Sequence, residues 1–368
     1  MNTRSGWEQI LGHDNVAQRF ADSLQRNRLA STFLFVGPVG IGKRTFALKL
    51  AQGLLCETSA EDSIEPCGHC PACQQVTAAT HPDLIQVSRP AGKAFIPVEL
   101  FIGDKEHRRQ RGLCHDIGLK PFSGRRKIAI IDDADFLNVE GANSLLKTLE
   151  EPPPNSLLIL IGSSEQQQLS TIVSRSQVIR FASLSAEQVA TVLGRIELET
   201  EISLDQLSLA SGGSIERARQ LTEPEVFEFR NALHQKLATL DPAAGGYCKE
   251  VLGFVDSAGK DGAAKRDRAA LVGDFAIEFY SRWLAGLNGT ESTEVDDSLR
   301  GAISSVPQSH HDAVEISQRI AQCIEATVNM QGKIRANVAA ANAIEIWLRD
   351  LGRACRGQLA DALDPTVV

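Results

Sequence analysis

The chain has 368 residues, of which 43% are hydrophobic and 23% are charged, and its net charge is −8. These values are ordinary for a globular protein of two or three domains, and the lack of a run of about 18 apolar residues excludes a membrane-spanning helix, so we expect no membrane partner. The negative charge excludes a protein that holds DNA over its whole surface, so any contact with DNA would come from local groups or from partner subunits.

The first informative element is a predicted strand over Phe33–Val36, followed by the sequence Gly37-Pro-Val-Gly-Ile-Gly-Lys43 and a predicted helix from Phe46. This order of strand, glycine-rich loop and helix is the context in which a phosphate-binding loop (P-loop) is credible. Glycines let the backbone approach a phosphate, and the lysine supplies positive charge. The alternative is a strand–helix turn without a ligand. The predicted phosphate contacts are Gly37, Gly40, Gly42 and Lys43.

The P-loop departs from its usual pattern at one position. The residue after the lysine normally carries a hydroxyl for Mg²⁺, and here it is Arg44. Thr45 would supply that hydroxyl only if the loop slipped by one residue. The sequence therefore predicts a site for ATP or ADP, with doubtful Mg²⁺ binding and doubtful metal-assisted cleavage.

Four cysteines with the spacing C-x10-C-x2-C-x2-C follow the P-loop helix, namely Cys56, Cys67, Cys70 and Cys73. Two closely spaced C-x2-C pairs let thiolates converge on one tetrahedral zinc ion, and four thiolates leave no open position, so the predicted site is structural. The alternatives are a redox pair, or a site in which His69 or His81 replaces one thiolate. The cysteine spacing and an N-terminus without a secretory apolar segment predict a reducing cytoplasm.

Further short apolar runs alternate with helical stretches, which predicts a parallel sheet covered on both faces. These predicted strands are Leu84–Val87, Lys127–Ile131, Leu157–Ile161 and Val178–Phe181. Asp132 and Asp133 follow the second of them. In P-loop nucleoside triphosphatases an acid at this position orients Mg²⁺, and we assign that place to Asp132. Asp133 stands where a longer glutamate would polarise the attacking water, so it is a degenerate catalytic residue.

With these motifs the chain resembles the AAA+ subunits of the bacterial DNA polymerase III clamp loader. The residues that carry the resemblance are the P-loop, the zinc knuckle over 56–73, Ile131–Asp133, Leu145–Pro153, Ser174-Arg175 and, more weakly, Gly213–Ala218. The resemblance implies an α/β fold followed by an all-α part. Its domains would be an AAA+ nucleotide-binding domain with the inserted zinc knuckle (1–183), a small helical lid (184–225), a helical collar for oligomerisation (226–355) and a tail (356–368).

The resemblance also implies partners. Members of this family assemble into a five-subunit ring that opens a sliding clamp and places it on primed DNA. The implied partners are AAA+ motor subunits, a delta subunit, the sliding clamp and, through the complex, primed DNA. Arg175 would be the finger that enters a neighbour's ATP site and stabilises the transferred phosphate. A surface arginine before a strand is the alternative.

The family contains active motors and a delta-prime type that donates a finger but hydrolyses little ATP. Arg44, Asp133 and Glu216, which replaces an arginine of the motor lid, favour the delta-prime type. We therefore expect an accessory subunit of a DNA-directed DNA polymerase with weak or absent ATPase activity. The alternatives are an active gamma/tau-type motor that tolerates Arg44, and a zinc-dependent binding module on an AAA+ core.

Overall fold

The computed structural model describes residues 6–108, 110–123, 125–242, 246–290, 294–307, 312–336 and 338–358. The chain divides into two compact units. The first comprises Met1–Glu197 and Ser211–Ala218, and the second comprises Leu198–Ala210 and Arg219–Val368. Residues of the predicted lid thus fall in both units, and the division into nucleotide-binding domain, lid and collar stays a prediction. Most of the predicted tail, from residue 359 onward, lies outside the described residues.

The first unit is built on a parallel sheet in the strand order β2-β3-β4-β1-β5. The strands are β1 (Thr32–Val36), β2 (Leu84–Val87), β3 (Lys127–Ile131), β4 (Ser156–Gly162) and β5 (Gln177–Arg180). Every residue of β1, β3 and β4 is buried, as expected for strands covered by helices on both faces. The predicted parallel sheet is confirmed, with strand ends that differ by at most one residue.

Helices surround this sheet, and two apolar clusters lie on its opposite faces. Successive side chains of a strand point to opposite sides, so Phe35 joins Phe20 and Phe46 in one cluster while Leu34 joins the other. The helices are α1 (Asp14–Gln25), α2 (Lys43–Leu55), α3 (Pro71–Thr77), α4 (Glu99–Ile102), α5 (Leu113–Asp116), α6 (Val139–Glu150), α7 (Ser170–Val173) and α8 (Ala186–Leu193). Two further short helices follow, α9 (Leu204–Ala210) in the second unit and α10 (Ile215–Gln220), which begins in the first.

The described part of the second unit contains helices and their connections but no strand, which confirms the predicted all-α portion. Its longer helices are α11 (Pro224–Ala238), α12 (Tyr247–Ser257), α13 (Gly262–Leu287), α14 (Asp297–Ser304), α15 (Ala313–Arg335) and α16 (Ala340–Cys355). Helix α15 packs against both α13 and α16. No helix within the described ranges combines the length and the apolar character needed to cross a membrane.

A buried charged cluster lies in the second unit. Arg230 is fully buried, and its guanidinium donates to both carboxylate oxygens of Glu278, at 2.8 and 3.1 Å, and to Asp296 at 2.7 Å. One turn along α11, His234 is also fully buried, and its Nε2 donates to the carbonyl of Phe275 at 3.0 Å. Burial lowers the pKa of His234 to about 4, and the positive charge of Arg230 acts in the same direction. The imidazole is therefore neutral in the folded protein near pH 7.

This histidine predicts a pH-dependent stability. Between pH 6.5 and about 4 the unfolded chain binds a proton at His234 that the folded chain excludes, so the free energy of unfolding falls as the pH drops through that window. The expected contribution is at most about 1.4 kcal/mol per pH unit. His234→Gln keeps a donor for the Phe275 carbonyl without titrating. Urea unfolding in a Trp7→Phe background, followed by the fluorescence of the remaining tryptophans in the second unit, should show a smaller pH slope in this variant. Equal slopes would contradict the assignment.

Candidate functional site

The P-loop joins β1 to α2, as the sequence predicts. Gly40 and Gly42 have φ of +78° and +96°, values that favour glycine, and Gly42 is the N-cap of α2. The N-terminus of α2 presents backbone N–H groups and the positive end of the helix dipole, which suit a phosphate. Lys43 is the first helical residue. The loop is therefore in the standard register, Arg44 follows the lysine directly, and Thr45 lies exposed one residue further along.

The lysine of the loop is turned onto the loop itself. Its Nζ donates to the carbonyl oxygens of Gly37 and Pro38 at 2.5 and 2.6 Å, and the residue is only 7% exposed. Burial lowers the pKa of Lys43 to about 8, while the carboxylates of Asp135 and Asp132 act in the opposite direction. An incoming phosphate has to compete with the two carbonyls for this ammonium group.

The start of α10 lies directly against the P-loop. The backbone N–H of Ile215 donates to the carbonyl of Gly40 at 2.9 Å. A Cβ at Gly40 would lie 2.3 Å from Ser214 Oγ and 2.6 Å from Glu216 Cβ, so only glycine allows this approach. Glu216 contributes to the electrostatics of Lys43, whose ammonium it stabilises. Glu216, which stands where motor subunits have an arginine, thus brings a carboxylate close to the P-loop.

Arg44 reaches the carboxylate predicted to hold Mg²⁺. Its Nε lies 3.5 Å from Asp132 Oδ2, and its NH2 donates to Gln86 Oε1 at 3.4 Å. The two side chains of the ion pair are 53% and 21% exposed. The pKa of Asp132 is raised, because burial and the neighbouring Asp133 outweigh the opposing effect of Arg44 and Lys43. The contact joins the P-loop helix to the end of β3.

Mg²⁺ does not fit these residues in the way that P-loop motors hold it. Motors use the hydroxyl after the lysine together with the acid after the third strand. Arg44 offers no oxygen, and its permanent positive charge beside Asp132 repels a divalent cation. Arg44, the departure from the P-loop pattern, therefore also engages the one remaining predicted Mg²⁺ ligand, Asp132.

The next carboxylate, Asp133, is engaged by the backbone. It has φ 58° and ψ 37°, an uncommon left-handed conformation for a non-glycine residue, and its Oδ2 accepts from the backbone N–H of Arg89 at 3.3 Å. The short side chain is thus held near its own strand end. Its role as a degenerate catalytic residue stays a prediction.

Asp135 was not singled out from the sequence. Its carboxylate accepts from the backbone N–H of Ser163, at 2.8 Å to Oδ2, and from the amide of Gln168. It joins the end of β4 to the turn after β3. The signal available in the sequence was a third carboxylate three residues after Asp132, on the same short turn.

Arg175 follows α7 and precedes β5, with a side chain that is 33% exposed. Its NH2 and Nε donate to Glu150 Oε1 at 2.6 and 3.0 Å, and its NH1 donates to the carbonyl of Thr171 at 3.1 Å. Glu150 is the last residue of α6 and is half exposed. The sequence placed Glu150 within the Leu145–Pro153 run but did not identify it as a partner of Arg175.

The four cysteines of the predicted knuckle come together. Their Sγ atoms all lie within 4.8 Å of one another, and the pairs Cys56–Cys70 and Cys67–Cys73 are each separated by 3.9 Å. A tetrahedral zinc ion with Zn–S bonds of about 2.3 Å requires sulfur atoms about 3.8 Å apart. The donor set and its spacing therefore fit structural zinc.

Local structure explains this convergence. Cys56 is the C-cap of α2, and Cys70 is the N-cap of α3, with its sulfur accepting from the backbone N–H of Cys73 at 3.4 Å. Similar bonds run from Cys67 to the sulfur of Cys56 and from Cys70 to the sulfur of Cys67. Burial opposes ionisation of Cys56, yet hydrogen bonds from Ser59 and other groups lower its pKa to about 5. The N–H and O–H donors thus stabilise the thiolate of Cys56.

The two histidines proposed as alternative ligands have other contacts. His69 is exposed, with Nδ1 2.9 Å from the carbonyl of Cys67. The Nδ1 of His81 accepts from the backbone N–H of Asp83 at 3.0 Å. Among the described residues, the metal-binding geometry is formed by four sulfur atoms.

Comparison with known proteins gives a consistent result for this part of the chain. The sequence profile of the family described as "DNA polymerase III, delta subunit" matches residues 12–185. DNA polymerase III subunit delta' of Pseudomonas aeruginosa is 34% identical over 209 residues, covering 56% of this chain and 60% of that protein. The delta' subunit of Bacillus subtilis is 30% identical over 206 residues, covering 56% and 58%. The tau subunit of Escherichia coli is 31% identical over 222 residues, covering 59% and 32%.

The chain therefore spans less than two thirds of the delta' relatives and about a third of the tau relative. The region matched by the profile contains the P-loop, the cysteine cluster, the carboxylates after β3 and Arg175. It also contains the parallel five-stranded sheet that carries them. Through residues 12–185 the chain is therefore similar to the family described as "DNA polymerase III, delta subunit" and to the delta' and tau subunits of DNA polymerase III.

Proposed function

We propose that this chain is a delta-prime-type clamp-loader subunit. In this proposal it assembles in the cytoplasm with AAA+ motor subunits and a delta subunit, and the complex loads the sliding clamp on primed DNA. Its own ATPase is weak or absent, and Arg175 acts on a neighbour's ATP. The observation that carries the proposal is the contact of Arg44 with Asp132, because it opposes metal-assisted hydrolysis in a site whose surroundings otherwise match an AAA+ subunit.

Two further contacts support weak hydrolysis. The carboxylate of Asp133 is bonded to the backbone N–H of Arg89, so it is poorly placed to polarise a water molecule. Glu216 brings a negative charge close to Gly40 and Lys43 of the P-loop. This charge disfavours the terminal phosphate of ATP at that place. A motor needs the opposite charge at this point, because negative charge develops on the transferred phosphoryl group.

The surroundings of Arg175 support a role in trans. The guanidinium is partly exposed, and the side chain that holds it, Glu150, is exposed too. A phosphate from a neighbouring subunit can therefore compete for the guanidinium, which binds phosphate oxygens in a planar, bidentate geometry. Glu150 orients the arginine until that partner is present.

The alternative is an active gamma/tau-type motor. The intact P-loop lysine, Lys43, and the match to tau subunits favour it. The two proposals differ in where hydrolysis occurs, in this chain or in its neighbour.

Reconstitution tests the proposed function. Motor subunits, delta subunit, sliding clamp and primed DNA are combined with and without this zinc-loaded chain, and clamp loading and ATP hydrolysis are measured. We expect both to require the chain. Full loading in its absence would contradict the proposal.

We also propose that the four cysteines bind one structural zinc ion, which cross-links the end of α2 to α3. Replacing Cys67 with serine should remove zinc, measured by elemental analysis, and should abolish the thiolate charge-transfer absorption of the cobalt-substituted protein. Cys248→Ser is the matched control, because Cys248 lies outside the cluster.

Loss of zinc should mainly destabilise the segment 56–73, since metal binding and local folding are coupled. Hydrogen exchange of this segment should rise in Cys67→Ser, while the rest of the first unit stays protected. Unchanged zinc content in that variant would contradict the assignment. Loss of partner binding with an otherwise intact fold would instead favour the zinc-dependent binding module.

A further inference from the structure

The position of Arg44 has a consequence for the ligand of the P-loop. In motor subunits the residue after the lysine is one of the two protein ligands of Mg²⁺, and the metal neutralises the phosphate oxygens. Here a guanidinium occupies that sequence position and lies 3.5 Å from the second ligand, Asp132. A fixed positive charge thus lies beside the residue that corresponds to the second Mg²⁺ ligand of motor subunits.

The geometry leaves Arg44 able to contact a phosphate. Asp132 engages its Nε and Gln86 engages its NH2, both at long distances of 3.5 and 3.4 Å. Neither contact uses NH1, and the side chain is 53% exposed. Arginine presents several N–H donors in one plane, so the same group can hold the carboxylate and donate to a phosphate oxygen.

We infer that the P-loop of this chain binds a nucleoside diphosphate without a divalent cation, with the Arg44 guanidinium in the place of Mg²⁺. The inference rests on the proposed function, in which the site holds nucleotide without working as a motor. Lys43 and Arg44 each contribute one positive charge, and the N–H groups at the start of α2 contribute donors. This charge suits a diphosphate better than a triphosphate, and Glu216 beside Gly40 adds to that preference.

The experiment is titration calorimetry of the full zinc-loaded chain with ADP, in EDTA and in excess Mg²⁺. We expect ADP to bind in EDTA, and we expect Mg²⁺ not to strengthen binding. Arg44→Thr recreates the hydroxyl of the motor pattern. It should weaken binding in EDTA about tenfold, the loss expected for charge-assisted hydrogen bonds, and Mg²⁺ should restore the affinity. Arg28→Thr, which removes an exposed arginine beyond α1, is the matched control and should behave as the wild type.

A second variant keeps the test decisive if Arg44→Thr does not fold. Asp132→Asn removes a negative charge near the phosphate and releases Arg44, so ADP binding should become tighter both in EDTA and in excess Mg²⁺. A site that depends on Mg²⁺ would instead lose affinity in the buffer with excess Mg²⁺. Wild-type binding that is about tenfold tighter with Mg²⁺, or no ADP binding in either buffer, would overturn the inference. Clamp loading by the reconstituted complex is measured separately from ADP binding. Failure of the proposed function can therefore be distinguished from failure of this inference.

Discussion

Replacing Arg175 with alanine is expected to slow ATP hydrolysis at the neighbouring motor site by about a thousandfold, the usual worth of an arginine finger. The physical reason is the loss of a guanidinium that stabilises charge on the transferred phosphoryl group. The measurement is single-turnover hydrolysis by the reconstituted clamp loader. The P-loop lysine is substituted in every motor except the one beside Arg175, so that only this site reports.

Two controls separate this role from a structural one. Arg180→Ala removes another exposed arginine, one that is paired with Glu165, and should leave hydrolysis unchanged. Glu150→Gln removes the charge that holds Arg175 in the isolated chain but leaves the finger available. If Arg175 served only to anchor α6, Glu150→Gln would reduce the rate as much as Arg175→Ala. That result, with normal assembly in both variants, would contradict the finger.

The fold of the first unit was largely predictable because local patterns determine it. Lys127–Ile131 is a continuous apolar run that ends in carboxylates, and it forms a buried interior strand with those bounds. The P-loop register followed from glycines whose conformations other residues seldom adopt. The cysteines converge as their spacing indicated, because a C-x2-C turn constrains the backbone locally.

Contacts between distant residues were not predictable in the same way. The sequence identified Arg44 as a departure, but its contact with Asp132 depends on the relative placement of β1 and β3. The pair of Arg175 and Glu150 likewise joins residues of different elements. Periodicity indicates that a helix exists and which face it buries. It does not indicate which charged side chain of another helix or strand a residue contacts.

The buried cluster in the second unit illustrates the same limit. Arg230 and His234 are one helical turn apart, so they share a face of α11 with the buried Leu237. Their spacing was a signal for a polar core contact. Only the folded chain shows that Glu278 of α13 neutralises the arginine and that the imidazole is left neutral. Charged residues are rarely buried without such partners, and the partner here is 48 positions away.

The second large effect concerns the chain by itself. We expect its steady-state ATPase, measured with clamp and primed DNA present, to lie at least about a hundredfold below the roughly 10 s⁻¹ typical of enzymes. Arg44 contacts Asp132, the predicted ligand of Mg²⁺, and Asp133 is bonded to the backbone of Arg89, so both carboxylates are engaged by other groups. The assay uses the pure, zinc-loaded chain. The same assay of Arg175→Ala shows whether any residual hydrolysis depends on an arginine donated by a second copy of the chain.

Restoring the residues of the motor pattern distinguishes a delta-prime-type subunit from an active motor. The double variant Arg44→Thr with Asp133→Glu should raise this low turnover about tenfold, because it returns an oxygen ligand and a longer general base. The gain is limited by the left-handed backbone at position 133, which a glutamate adopts at a cost of about 1 kcal/mol. An active motor would already turn over at an ordinary rate and would change little in the double variant. High turnover of the wild type, together with a double variant whose turnover is unchanged, would therefore contradict the delta-prime proposal. It would also show that Arg44 is compatible with catalysis.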